Sequence, residues 1–151
     1  MEVGHLIAEC ADEFRAAAEM SGQRIVTTVS DDVPVLATDR WLLRRVLNNL
    51  VINAIRHSGT VGSIDLTAEH HRGSVRLQVL DKGRGIPLED QATLFEKHRR
   101  SARRDRSRDD TGLGLVFCKM AVEVMGGTID VESTPNAGTT FTVTLPATVE
   151  S

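Results

Sequence analysis

Apolar residues along this chain keep two rhythms, one near 3.6 and one of 2, and the points where the rhythm changes divide it into elements. Residues 4 to 20 place Leu6, Ile7, Cys10, Phe14 and Ala17 at helical spacing, and Ser21-Gly22 supplies a stop. Ile25, Thr27 and Val29 alternate as a strand, and Val33-Pro34-Val35 reads as a short extended edge. Asp39 then stands where it can cap a long helix running to His57. From Ser63 to Asp81 the pattern predicts two strands around a turn at Arg72-Gly73, with Ile64, Leu66, Ala68, Val75, Leu77 and Val79 facing inward.

Pro87 at the first helical position, with Glu89 and Asp90 in the first turn, predicts a short helix ending near Phe95. Residues 96 to 110 hold seven Lys or Arg against four Asp or Glu and almost nothing apolar, the composition of a mobile, solvated loop. A final helix follows, its buried face marked by Leu113, Val116, Phe117, Met120 and Val124 and its end by Gly126-Gly127. Two strands close the chain around a turn at Pro135 to Gly138, with Phe141, Val143 and Leu145 facing one way. These elements predict an α+β fold. It is a two-layer α/β sandwich, in which a mixed, mostly antiparallel sheet of about five strands packs on three helices.

Composition narrows the picture little. At 151 residues the chain fits a single domain with a self-sufficient apolar core. A formal charge of −3 with 26% charged residues argues against a nucleic-acid binder and against a disordered tail. Cys10 and Cys118 lack the spacing of a zinc site or disulfide framework, which suits a reducing, cytoplasmic setting. No apolar run approaches the roughly 18 residues of a membrane span, and the opening residues lack the parts of a signal peptide. Direct membrane contact is not expected.

Three segments carry candidate chemistry. On the helix from Asp39 to His57, Leu43, Val46, Leu47, Leu50 and Ala54 form a core stripe, while Arg45, Asn49, Asn53 and Arg56 stack on another face. Asparagine is a poor mid-helix residue, so two of them a turn apart suggest a purpose. An amide oxygen can ligate a hard cation such as Mg²⁺; a merely solvated face is the alternative. Asp81 shares the parity of Val75, Leu77 and Val79, so its carboxylate emerges at the end of an apolar face and needs a partner. The succeeding Gly83-Arg84-Gly85-Ile86 can bring backbone close to a flat ligand whose exocyclic amine the carboxylate accepts, as adenine offers, or can be a simple strand-ending turn. Asp110-Thr111-Gly112-Leu113-Gly114-Leu115 opens the last helix and suits either an anion site at the helix N-terminus or a capped junction.

The order of these segments resembles the catalytic ATP-binding domain of sensor histidine kinases, in the GHKL superfamily that includes gyrase and mismatch-repair ATPases. Val46-Leu47-Asn48-Asn49-Leu50-Val51-Ile52-Asn53-Ala54-Ile55-Arg56-His57-Ser58 looks like the N box, Asp81-Lys82-Gly83-Arg84-Gly85-Ile86 the G1 box, and Leu94-Phe95-Glu96-Lys97 the F box. Gly112-Leu113-Gly114-Leu115 is similar to the G2 box and Gly138-Thr139-Thr140-Phe141 to the last glycine motif. The resemblance implies that Asn53 ligates Mg²⁺, Asn49 supports the phosphates or metal shell, Arg56 contacts phosphate, and His57 lies near the adenine or ribose. Asp81 would receive the adenine amine, beside Gly83, Gly85 and Ile86. Thr111, Gly112, Leu113, Gly114, Leu115 and Thr140 would complete the ATP site. Residues 96 to 111 would form a flexible ATP lid, with Lys97 and Arg100 the first candidates to clamp phosphate.

Hydrolysing relatives carry a glutamate one turn before the metal-binding asparagine, where this chain has Asn49. The expected reaction is therefore transfer of the ATP γ-phosphate to a histidine on a separate dimerisation domain, which then serves a response regulator. None of His5, His57, His70, His71 or His98 has the acceptor's context, so residues 1–151 read as one catalytic domain of a longer sensor kinase, bounded just before Glu2, monomeric when isolated and cytoplasmic even if the parent is membrane-anchored. An anti-sigma-factor-type Ser/Thr kinase and a nucleotide-sensing or partner-docking module without transfer are the competing readings. Lys82, His98 and Asp110 depart from the family pattern; Asp110 beside phosphate would either repel it or pair with a lid arginine.

Overall fold

In the computed structural model, which describes residues 1–57, 62–96 and 113–147, four helices and five strands follow the order α1 (Val3–Met20), β1 (Gln23–Val29), α2 (Arg40–His57), β2 (Gly62–His71), β3 (Ser74–Asp81), α3 (Leu88–Gln91), α4 (Leu113–Val124), β4 (Thr128–Thr134) and β5 (Gly138–Pro146). The sheet runs β1-β2-β3-β5-β4. Only β1 and β2 are parallel, because the chain crosses over through α2 between them; the other three pairs are antiparallel. From Lys97 on, the stretch expected as a lid lies outside the described residues.

The period-2 pattern translates directly into one buried sheet face. Ile25 pairs with Ile64, Leu66 with Val79, Ala68 with Leu77, and Val79 with Phe141, all of them buried. Arg72 and Gly73 both take positive φ (53° and 78°), the two-residue hairpin turn whose twist matches that of the strands it joins. Against this face α1 packs Leu6, Ile7, Cys10 and Ala11, and α2 packs Leu43, Leu47, Leu50 and Ala54. The helices α1 and α2 are also stitched across their outer edges: Arg44 reaches Glu9, Glu13 and the Asn48 side chain, and Arg40 reaches Glu9. The two thiols, Cys10 and Cys118, are buried, and burial pushes both up to about 12, so neither is a nucleophile at neutral pH.

Four expectations are corrected. In α1 it is Ala18, not Ala17, that is buried. Val33 to Val35 form no strand; Leu36 instead exchanges two 2.9 Å backbone bonds with Met1, so the start of the chain satisfies this segment. Pro87 sits one residue outside α3, with an extended ψ of 144°, and α3 ends at Gln91, after which turns continue to Phe95. In α4 the buried residues are Val116, Cys118, Ala121 and Val122, while Met120 and Val124 are exposed. That helix is apolar almost all round, so periodicity could not say which stripe meets α2 and the sheet.

Glycine substitutions separate backbone freedom from close packing. A methyl group at Gly4, inside α1, would meet only Val29 at 3.8 Å, whereas one at Gly138, where φ is +114°, would collide with the Asp81 carbonyl. Gly4→Ala should stabilise the fold by about 0.5–1 kcal/mol, and Gly138→Ala should cost at least about 2 kcal/mol. Urea unfolding of both variants checks this; equal effects would contradict the packing described.

Candidate functional site

The site is organised by α2. Asp39 accepts the Leu42 N–H at 3.0 Å and fixes where the helix begins. Burial of the Leu43, Val46, Leu47, Leu50, Val51 and Ala54 stripe then sets the helix rotation. Of three asparagines, Asn48 turns toward α1 and accepts from Arg44 and Cys10, which makes it structural. Asn49 and Asn53 remain, half-buried, on the other row. Helix α4 begins beside Asn49: a methyl group at Gly114 would lie in ordinary contact, 3.4 Å from the Asn49 Oδ1, so the amide borders the first turn of α4. A helix start carries backbone N–H groups without intrahelical partners and the positive end of the dipole.

At the opposite end of α2, a loop closes the cleft. Asp81 ends β3 buried, 6% exposed, with Oδ1 accepting the Gly83 N–H at 2.8 Å. Burial raises its pKa above the ordinary aspartate range, partly offset by backbone bonds from Gly83 and Thr139. The Arg84 N–H donates to the His57 carbonyl at 3.3 Å, and its guanidinium lies 3.2 Å from the His57 Nδ1. On the other side Arg84 accepts from the Asn136 N–H at 2.6 Å, and the Ile86 N–H donates to the Ser133 Oγ at 2.7 Å. Gly85, at φ 76°, lies so close to Thr134 that any Cβ would strike its carbonyl. Asp81 and the Asn49–Asn53 row are thereby tied to one frame: the loop after Asp81 touches the last residue of α2, one turn past Asn53.

Comparison with known proteins gives this frame a lineage. Residues 38–149 match the family described as histidine kinase-, DNA gyrase B-, and HSP90-like ATPase. The chain belongs to this family. Among curated relatives of this ATPase family, sensor protein DivL of Caulobacter vibrioides is 36% identical over 148 residues, 98% of this chain and 19% of DivL. Adaptive-response sensory kinase SasA of Crocosphaera subtropica is 35% identical over 142 residues, 93% of this chain and 37% of SasA. The chain thus spans well under half the length of either relative. Among solved structures, the nucleotide-free catalytic domain of histidine kinase ThkA superposes with a TM-score of 0.84 at 27% identity, covering 99% of this chain and 97% of that one. Full-length ShkA in complex with AMPPNP gives 0.86 at 28% identity, covering 100% of this chain and 31% of that one. The architecture is that of histidine-kinase ATP-binding catalytic domains.

Within this ATPase frame, Asn49, Asn53 and His57 follow one another on α2, with Arg56 exposed at its end, and Asp81, Gly83, Gly85 and Ile86 form the facing loop. Gly114 and Leu115 lie in the first turn of α4, which opens at Leu113, with Leu115 packed against the core. Lys97, Arg100, Thr111 and Gly112 lie outside the described residues. Thr140 does not join the others. It stands in a cross-strand row with Asp65, Leu80 and Glu132, which by strand alternation faces away from α1, α2 and α4 and lines a cavity of about 590 Å³ that Asp81, Thr139 and Gln91 of α3 also border. Thr139, buried and paired in register with Asp81, takes the inward place, its Oγ1 2.9 Å from the Ser133 Oγ. Counting back two positions from inward-facing Phe141 identifies it.

The raised pKa of Asp81 fixes a sign. A folded carboxyl that holds its proton above the pH at which the unfolded one loses it adds stability at low pH, and that contribution is lost as pH rises through the folded value. Wild type minus Asp81→Asn, followed as the urea midpoint from the ordinary aspartate range up to neutrality, should therefore decline with pH. A flat or rising difference would contradict the burial argument.

Proposed function

We propose that this chain is the catalytic domain of a two-component sensor histidine kinase, which delivers the γ-phosphate of Mg·ATP to a histidine on a separate dimerisation domain. The observation that carries the reading is the Asn49–Asn53 row of α2, in which Asn49 borders the start of α4 and no carboxylate is present to activate water. Neutral amide oxygens beside a helix N-terminus suit a polyphosphate and its cation. A hydrolase of this family would need a base there.

The residues divide the work. Asp81, held in its orientation by the Gly83 N–H, accepts from the exocyclic amine of adenine, and the tight loop at Gly83 to Ile86 shapes the wall beside the purine. Asn53, supported by Asn49, would hold Mg²⁺, which when bound spreads the negative charge of the phosphate oxygens. Backbone N–H groups at the start of α4, Leu113 to Leu115, would receive the phosphates next to Asn49, with Thr111 and Gly112 before them in sequence. Arg56 and His57 would close the ribose and phosphate side, and Lys97 and Arg100 would add lid cations. Transfer needs charge stabilisation and alignment more than covalent help, and this arrangement supplies both. The setting fitting these parts is bacterial and cytoplasmic. The isolated domain would be monomeric, with the acceptor domain and, through it, a response regulator as partners.

In isothermal calorimetry, Asn53→Ala should weaken Mg·ATP by at least about 10- to 100-fold, the range seen when support of a bound metal is lost, and should leave ATP binding in EDTA nearly unchanged. Equal affinity with magnesium would remove Asn53 from the site. Asp81→Asn should erase the preference for ATP over GTP, because an N–H would then face the adenine amine. Mixing the domain with two-helix histidine domains and labelled ATP should yield an acid-labile phosphohistidine. Phosphoserine on a protein substrate would favour an anti-sigma-factor-type kinase, and binding without any transfer would favour a nucleotide sensor.

A further inference from the structure

The loop from Gly83 to Ile86 is held by two side chains that the nucleotide reading leaves unused. Gln91 of α3 donates through Nε2 to the Ile86 carbonyl at 2.8 Å and to the Ser133 carbonyl at 3.0 Å. Both acceptors are carbonyls, so the amide must turn its NH₂ toward them. From β4 the Ser133 Oγ accepts the Ile86 N–H at 2.7 Å. Ile86 is thereby gripped at both of its backbone polar groups, by residues 5 and 47 positions away in sequence. The Ser133 Oγ also lies 3.0 Å from the Gly138 carbonyl and 2.9 Å from the Thr139 Oγ1. A carbonyl cannot donate, so the single Ser133 proton goes to Gly138 and Thr139 must donate to Ser133, which with Ile86 fills every hydrogen-bonding position of the hydroxyl. The Gly138 carbonyl belongs to the same planar peptide unit as the Thr139 N–H, and that N–H donates to the Asp81 carboxylate. Hydrogen bonds in series polarise one another, so the proton that Ser133 gives to this carbonyl strengthens the donor at the far side of the peptide.

We propose that Ser133 and Gln91 are positioning residues for purine recognition: Ser133 orients the Asp81 carboxylate through the Gly138–Thr139 peptide, and with Gln91 it fixes Ile86 and the wall of the cleft. Neither side chain touches the purine in this role. The two hydrogen bonds that hold the Asp81 carboxylate come from the Gly83 and Thr139 N–H groups, so whatever moves either peptide moves the acceptor. Gly83 lies on the loop that the clasp pins, and Thr139 on the peptide that Ser133 bonds, so one hydroxyl governs both. The loop's other ties, from the Arg84 N–H to the His57 carbonyl and from the Asn136 N–H to the Arg84 carbonyl, run between backbone groups. At Ile86 the grip is made by side chains, and substitution can release it. The inference rests on Asp81 as the acceptor of the adenine amine and assigns two residues outside that contact.

The test measures ATP and GTP binding by calorimetry in magnesium for wild type, Ser133→Ala, Ser133→Thr and Gln91→Glu, with thermal unfolding to confirm that each is folded. Ser133→Ala removes both the acceptor for Ile86 and the proton given to Gly138, and ATP should bind about 3- to 10-fold more weakly. GTP, which presents an oxygen where adenine has its amine, should change less, so the preference for ATP narrows. Ser133→Thr keeps the hydroxyl and should bind as wild type. Gln91→Glu keeps the shape but sets oxygens against two carbonyls, and should narrow the preference in the same direction. Because Gln91 lies half-buried on a helix of 4 residues, this variant tests the grip on Ile86 independently of any loss of folding at Ser133. In the NMR spectrum of nucleotide-free Ser133→Ala, the Thr139 amide proton should move upfield, the signature of a weakened bond to Asp81 that lost stability alone does not produce. Wild-type affinity and preference in Ser133→Ala and Gln91→Glu, with wild type still selecting ATP, overturn the clasp and leave the Asp81 assignment standing. A Ser133→Thr variant as weak as Ser133→Ala, or an unmoved Thr139 amide, overturns the role of the hydroxyl. Wild type that binds ATP and GTP alike removes the Asp81 reading itself, and the clasp falls with it.

Discussion

A helix can bury only one stripe, and in this molecule that rule decides where the chemistry goes. Leu43, Val46, Leu47, Leu50, Val51 and Ala54 bring α2 down on the sheet, each large side chain contributing about 1.5–3 kcal/mol of apolar burial. No rotation of α2 could bury the asparagine row instead without exposing that stripe and stranding amides in an apolar layer. The amides of Asn49 and Asn53 are thus held in place by leucines buried on the opposite stripe. Core packing and site geometry are one constraint here.

The second constraint is distance of approach. Gly85 against Thr134 and Gly138 against Asp81 each stand where a single methyl group would collide. These contacts clamp the loop after Asp81 between the end of α2 and the β4–β5 turn. The buried carboxylate of Asp81 is the cost of this frame. Its desolvation is tolerated because the Gly83 and Thr139 N–H groups face it, and it leaves an acceptor oriented by the protein before any ligand arrives.

Much of this was legible in the residues. The N-cap at Asp39, the two registers of α2, the hairpin turn at Arg72-Gly73 and the inward parity of Asp81 all follow from local rules, since one buried face dictates each of them. Where two faces compete, local rules run out. Helix α4 is apolar on nearly every side, and its buried stripe was misplaced because only its neighbours choose between Val122 and Val124. Thr139 and Thr140 are chemically identical, so residue type could not separate them; parity with Phe141 could. Val33 to Val35 have a strand's composition but no strand to pair with, their neighbour Leu36 bonding to Met1 instead. The basic stretch from Lys97 lies outside the described residues, so its part in the site remains a proposal.

The misplaced stripe has its own significance. Because Cys118, Ala121 and Val122 take the core side of α4, Met120 and Val124 are left on the outside, while half-buried Phe117 packs against the core at one edge and meets Arg45 at the other. A helix of 12 residues is about 18 Å of nearly rigid rod. The same rod starts with Gly114 beside Asn49 and carries the apolar patch on its outer flank. Displacing one end displaces the other, so the exposed flank at Met120 and Val124 is mechanically tied to the helix start beside Asn49.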